Sequence, residues 1–251
     1  MASAASPATK VPLAGRWALV TGASRRLGRV LALRLAQEGA RLVLHAHRGE
    51  AAARALAAEL AARGTPAHVL AADLADPAAL ARLCEQAWQA SGGLDLLVHN
   101  AGLFERTPPA TPDAEAFDRL MATNARSAWL LGAHLAPRMR ARGGGAIVNV
   151  ACASARKAYA SAIPYSASKA AVASITQGLA RAFAPEVRVN AVAPGPVLPP
   201  EGLAADEHAR IAATTLLGRW GTPEDVAEAA CFLATQPWLT GLVLPVDGGR
   251  P

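Results

Sequence analysis

Tyr165 and Lys169 stand four residues apart in the run Tyr165-Ser166-Ala167-Ser168-Lys169. On a helix that spacing turns both side chains to one face. An ammonium beside a phenol favours the phenolate and lowers the tyrosine pKa from about 10. Such a tyrosine suits proton transfer to a substrate reduced by hydride. A Tyr/Lys pair is also what an ordinary helix face presents, so it needs a setting before it carries a function.

A second cluster lies near the start of the chain, in Thr21-Gly22-Ala23-Ser24-Arg25-Arg26-Leu27-Gly28. Glycines between a strand and a helix let backbone N–H groups approach a pyrophosphate, where the helix dipole favours an anion. Gly22, Ser24, Arg25, Arg26, Leu27 and Gly28 are the candidate contacts. The next apolar run ends in His45-Ala46-His47-Arg48, with no carboxylate before Glu50. An acidic residue there would bind the ribose 2′-hydroxyl of NAD. His47 and Arg48, with Arg25 in reach, would instead grip a 2′-phosphate, each charge-assisted bond contributing about 1.5–3 kcal/mol. The expected cofactor is therefore NADPH (NADP when oxidised). His45 and His47 share a face of a strand end, but lack a third ligand nearby, so no metal site is expected.

These groups must be positioned by a scaffold, and the apolar pattern supplies one. Continuous apolar runs at 17–21, 41–45, 67–71, 94–99, 146–151, 187–193 and 242–246 read as strands covered on both faces. Ala/Leu-rich stretches at 27–38, 50–62, 77–90, 113–140, 164–183 and 223–234 read as helices, with Pro77 and Pro223 in first turns behind the caps Asp76 and Thr222. The alternation predicts an α/β fold: a Rossmann-type, doubly wound parallel sheet of about seven strands.

The chain has 251 residues, of which 52% are hydrophobic and 18% charged. That composition excludes general disorder and suits one domain over 15–251, after a small, polar and disordered tail at 1–14. No run reaches the roughly 18 apolar residues of a membrane span, and the start lacks the pattern of an export signal. Three cysteines, widely spaced, argue against a disulfide framework and fit a reducing cytoplasm. The net charge of +6 is scattered arginine rather than a run, and aromatics are only 4%, so nucleic acid is not an expected partner. The stretch 194–207 holds Pro194, Pro196, Pro199 and Pro200. It reads as irregular, either a surface loop or a lid, within a substrate loop near 194–215.

Taken in order, the Gly turn, Asp73, Asn100-Ala101-Gly102, Asn124, Tyr165/Lys169, Pro194-Gly195 and the closing Val246-Asp247-Gly248-Gly249 resemble the short-chain dehydrogenase/reductase family. The resemblance implies a nicotinamide cofactor along the carboxyl ends of the strands. It implies Tyr165 as proton donor and Lys169 as the residue that binds the nicotinamide ribose and tunes that tyrosine. Asn124 becomes the residue that holds a proton-relay water. Asp73, with Leu74 beside it, becomes the adenine contact, and Asn100, Ala101, Gly102, Pro194 and Gly195 line the cofactor. Members of the family usually form dimers or tetramers, and the resemblance leads to the expectation of a homotetramer acting on a small molecule. Two positions depart from the family: Arg26 replaces the turn's middle glycine, and Cys152 stands thirteen residues before Tyr165, where serine is usual. A thiol is a weak donor, and Ser154 could compensate only if turned inward.

Arg26 with His47-Arg48 further resembles the pteridine reductase and dihydromonapterin reductase branch. In that branch the turn arginine contacts phosphate and pterin, and an aromatic after the N-A-G turn, here Phe104, stacks on the pterin. Cys152 departs from the aspartate common there. Substrate contacts are thus expected from Arg26, Phe104, Cys152 and Tyr165. The leading expectation is a dihydropterin reductase; a carbonyl or imine reductase and an NADPH-binding sensor without turnover remain open.

Overall fold

The computed structural model describes residues 10–199 and 202–250. Seven strands, β1 (Trp17–Val20), β2 (Arg41–Ala46), β3 (Ala67–Ala71), β4 (Leu96–His99), β5 (Gly145–Val150), β6 (Val187–Pro194) and β7 (Val243–Val246), form one parallel sheet in the order β3-β2-β1-β4-β5-β6-β7. Every expected strand is present within two residues of its expected ends. Side chains alternate across the sheet. Ala18, Val20, Leu42 and Leu44 enter one core with α1 (Arg26–Gln37), α2 (Glu50–Ala62) and α8 (Pro223–Thr235). Leu19, Val43, Leu97 and Ile147 enter the other with α3 (Pro77–Ser91), α5 (Ser127–Ala141) and α6 (Ile163–Phe183). With both faces covered, continuous apolar strands are what this sheet requires.

Strand order reverses between β1 and β4, so a crevice opens at the carboxyl ends of those two strands. The Gly turn leaves β1 there, and Asn100 leaves β4.

The helix expected over 113–140 is interrupted. α4 (Ala114–Leu120) and α5 are joined by a π-helical turn, Met121–Arg126, which contains Asn124. The stretch expected to be irregular is shorter than 194–207: Pro194 still pairs with Val246 at the end of β6, and α7 (Ala205–Ala212) begins within it. Of the expected tail, residues 1–9 lie outside the described residues. Residues 10–14 are held, because Leu13 is buried in the core and the Val11 N–H donates to the Thr235 carbonyl at 2.8 Å.

Two histidines make this fold acid-sensitive. Burial pushes His99 down to about 3 and lowers His45 from its ordinary value. Both are neutral when folded, whereas the unfolded chain binds protons near pH 6.5. Stability is therefore present above that pH and lost as pH falls through it. At pH 5, His99 alone is expected to remove about 2 kcal/mol. Urea unfolding of the wild type and His99→Gln at pH 7 and pH 5 checks this: the gap between the two pH values narrows in the variant. A wild-type stability unchanged between those pH values would refute it.

Candidate active site

The glycine turn is built from the backbone outward. The Gly22 N–H donates to Nδ1 of the buried His45 at 3.2 Å, while His45 Nε2 meets the Ala72 carbonyl at 3.1 Å, which fixes the neutral tautomer. The Asn100 amide donates to the carbonyls of Thr21 and Gly22, at 3.0 and 3.2 Å. Thr21 Oγ1 accepts from the N–H groups of Asn100 and Ala101, both at 3.0 Å. The two turns that leave β1 and β4 are thus one tied unit.

α1 starts in that unit with no side-chain cap and no acidic residue in its first turn. Its free N–H groups suit an anion. Arg25, Arg48 and His47 are exposed, and among the described residues neither arginine makes an ion pair. A Cβ on Gly49 would come within 2.6 Å of Ser24 Oγ, so the loop carrying Arg48 lies directly on the Gly turn. Asp73 Oδ1 accepts from the Ala75 N–H at 2.9 Å, and Oδ2 lies 3.9 Å from His47 Nε2. Leu74 is buried in one core, and Leu27 packs partly buried against the other. Gly195 packs against Asp247, where a Cβ would approach Cα to 2.7 Å. These features fit a phosphate-bearing dinucleotide.

Arg26 alone among the described non-glycine residues has a positive φ, +50°. It occupies the left-handed geometry that the usual glycine adopts freely, at a cost of about 1–3 kcal/mol. Its guanidinium donates to the Leu198 carbonyl at 3.2 Å, reaching the Pro-rich segment. A second tie to this part of the chain is the ion pair of Arg106 with Glu207 on α7, at 3.1 Å.

At the other end of the crevice, α6 presents Tyr165 and Lys169. Lys169 is buried and its Nζ donates to the Val150 carbonyl at 2.8 Å, 6.0 Å from the Tyr165 ring. Burial lowers it to about 8. The expected depression of Tyr165 is not found. Burial pushes its phenol well above the ordinary value, with the Cys152 thiol adding to the rise, because loss of hydration penalises a phenolate more than the distant ammonium favours it. The phenol is a neutral donor.

Phe104 stands edge-on to Tyr165, ring centres 4.8 Å apart, and is half exposed. Asn124 spends its side chain on protein: Oδ1 accepts from the Leu103 N–H at 2.7 Å, and Nδ2 donates to the Leu103 carbonyl and Ser168 Oγ, both at 2.9 Å. Gly102 lies against Asn124 and Lys169. Cys152 Sγ accepts from the Ser154 N–H at 3.4 Å, while Ser154 Oγ is buried without a partner.

The structure therefore brings Tyr165, Lys169, Asn124, Cys152 and Phe104 together at one end, and the Gly turn, Arg48, Asp73 and Asn100 at the other. Sequence reading missed Tyr159 and the roles of His45, Thr21 and Ser168. Tyr159 Oη lies 3.8 Å from Cys152 Sγ; its only signal is that it is one of two tyrosines in the chain.

A family described as enoyl-(acyl carrier protein) reductase matches residues 22–250. A short-chain type dehydrogenase/reductase of Picea abies is 35% identical, over 95% of this chain and 93% of its own. Cis-4-hydroxycyclohexanecarboxylate dehydrogenase of Sinomonas cyclohexanicum is 39% identical, over 94% and 96%. The crystal structure of a blue fluorescent protein from a metagenomic library in complex with NADPH superposes with a TM-score of 0.88 at 33% identity, covering 95% of this chain and 99% of that one. Among the described residues, no helix is long and apolar enough to cross a membrane.

Proposed function

The chain belongs to the short-chain dehydrogenase/reductase family and is an oxidoreductase, and within that family we propose an NADPH-dependent reductase of a small carbonyl compound. The observation that carries this reading is the neutral, partly buried Tyr165 set beside Lys169, Cys152 and the half-exposed Phe104, at the far end of a crevice that begins with the uncapped α1.

Arg25 and Arg48 would hold the 2′-phosphate, the α1 N-terminus the pyrophosphate, Asp73 the adenine and Lys169 the nicotinamide ribose. The bound nicotinamide supplies the hydride. Tyr165 Oη donates its proton to the carbonyl oxygen as negative charge develops there. Asn124, both of whose amide N–H groups are committed to protein, would hold a relay water through its backbone, on a π-helical turn of the kind often found at functional sites. Phe104 forms an aromatic wall beside the reacting group.

A second reading, reduction of a dihydropterin, is favoured by Phe104, whose half-exposed ring could stack on a flat bicycle. It stands second because Arg26 is engaged on the Leu198 carbonyl and Cys152 offers no carboxylate.

Turnover of reduced nicotinamide with a panel of ketones, aldehydes and a dihydropterin tests the substrate class. Activity confined to the dihydropterin would reverse the order of the two readings, and tight NADPH binding without turnover would leave a sensor. Arg25→Ala/Arg48→Ala is expected to cut the NADPH over NADH preference in kcat/KM by about ten- to a hundredfold. An unchanged ratio would remove the assignment of NADPH.

A further inference from the structure

A carbonyl oxygen becoming an alkoxide profits from two strong donors aimed at it. Tyr165 provides one. The neighbouring thiol of Cys152 is a weak donor, and its sulfur already takes the Ser154 N–H. The Ser154 hydroxyl is shut away from the crevice, buried without a partner.

Tyr159 is the second phenol beside Cys152, its Oη 3.8 Å from Sγ. Its N–H donates to Ser166 Oγ at 3.0 Å and its carbonyl accepts from the Ala162 N–H at 2.9 Å. Both contacts pin it to the first turn of α6, the helix that carries Tyr165. Arg250 lies over its ring, 5.2 Å from the centre, and Nη1 donates to the phenol oxygen at 3.3 Å. That bond occupies a lone pair and leaves the phenol its single O–H to spend elsewhere. The nearest partner is Cys152 Sγ at 3.8 Å, a poor acceptor. Tyr159 thus meets Cys152 at its oxygen, and the same thiol acts on the phenol of Tyr165, so both tyrosines of the chain belong to one cluster around Cys152.

We propose that Tyr159 is a second catalytic hydroxyl, which hydrogen-bonds the substrate carbonyl oxygen and supplies the polarisation that Cys152 cannot. Burial keeps this phenol, like that of Tyr165, in its neutral donating form. Arg250 is a positioning residue that fixes the direction of the O–H. The inference rests on the reading of Tyr165 as proton donor to a carbonyl.

Tyr159→Phe removes one oxygen atom and is expected to lower kcat for the best carbonyl substrate about a hundredfold. NADPH affinity, read by quenching of intrinsic fluorescence, should stay within about twofold, because the lost bond forms only with substrate. Adding Cys152→Ser to Tyr159→Phe places a hydroxyl beside the same oxygen and should restore at least about tenfold of kcat. A kcat for Tyr159→Phe within about threefold of wild type overturns the proposal. An equal loss of cofactor affinity and kcat, without rescue by Cys152→Ser, also overturns it, since the ring is then a structural prop. So does a loss that follows Ser154→Ala instead. Tyr165→Phe in the same assay separates the two ideas. If it turns over like wild type, the underlying reading fails; if it is inactive while Tyr159→Phe is not, only the role of Tyr159 fails.

Discussion

Tyr165→Phe is expected to lower kcat for carbonyl reduction by about 10²- to 10⁴-fold, the usual worth of a positioned general acid, while NADPH affinity stays near wild type. The ring is retained, so its edge contact with Phe104 and its burial are preserved; only the hydroxyl is lost. The pH profile should carry a second signature. Because burial raises the phenol far above neutrality, Tyr165 remains protonated over the working range and does not limit reduction. Lys169 does titrate in range, near 8. Its folded value lies below the ordinary lysine range, so its charge is present at neutral pH and lost as pH rises through 8. Reductive kcat/KM is then expected to fall on the alkaline side with an apparent pKa close to that value. A profile flat well beyond it would dissociate Lys169 from the reaction. A Tyr165→Phe variant within tenfold of wild type would remove the phenol from the chemistry altogether.

What the sequence makes visible is the scaffold. Strands buried on both faces leave unbroken apolar runs such as Leu42–Leu44, and a positive φ, as at Gly22, favours glycine. The spacing of Tyr165 and Lys169 is equally plain, since it is local. Hidden from the sequence is whatever depends on contacts across the chain. The pair's spacing says the side chains share a face, but not how dry that face is, and dryness reversed the direction expected for the phenol. The π-helical turn at Asn124 leaves no compositional trace inside a long helical pattern. Arg26 resembles a ligand-contacting arginine until its reach to the Leu198 carbonyl, far away in sequence, is seen. Tyr159 acquires meaning only because Arg250 and Cys152, from two distant segments, meet at its oxygen.

Gly28→Ala should damage the other end of the site more than any other single methyl group. A Cβ at Gly28 would overlap the Gly22 carbonyl oxygen and stand 2.7 Å from Asn100 Nδ2. Neither can withdraw freely. Gly22 is fixed through its N–H on His45, and its carbonyl is held by the same Asn100 amide, which also binds the Thr21 carbonyl. Relief therefore means displacing the turn that ties β1 to β4, with an overpacking cost of about 1–3 kcal/mol. At about 2–4 °C per kcal/mol for a chain of this size, Tm should fall by several degrees. Displacement also moves the uncapped N–H groups of α1 away from the pyrophosphate, so NADPH Kd should rise by more than about tenfold. Gly178→Ala provides the contrast. It lies in α6 with nothing within 4 Å of the new Cβ, so the same methyl should stabilise by about 0.5–1 kcal/mol through helix propensity alone. Equal behaviour of the two variants would mean that the Gly turn is not the rigid cradle its hydrogen bonds describe.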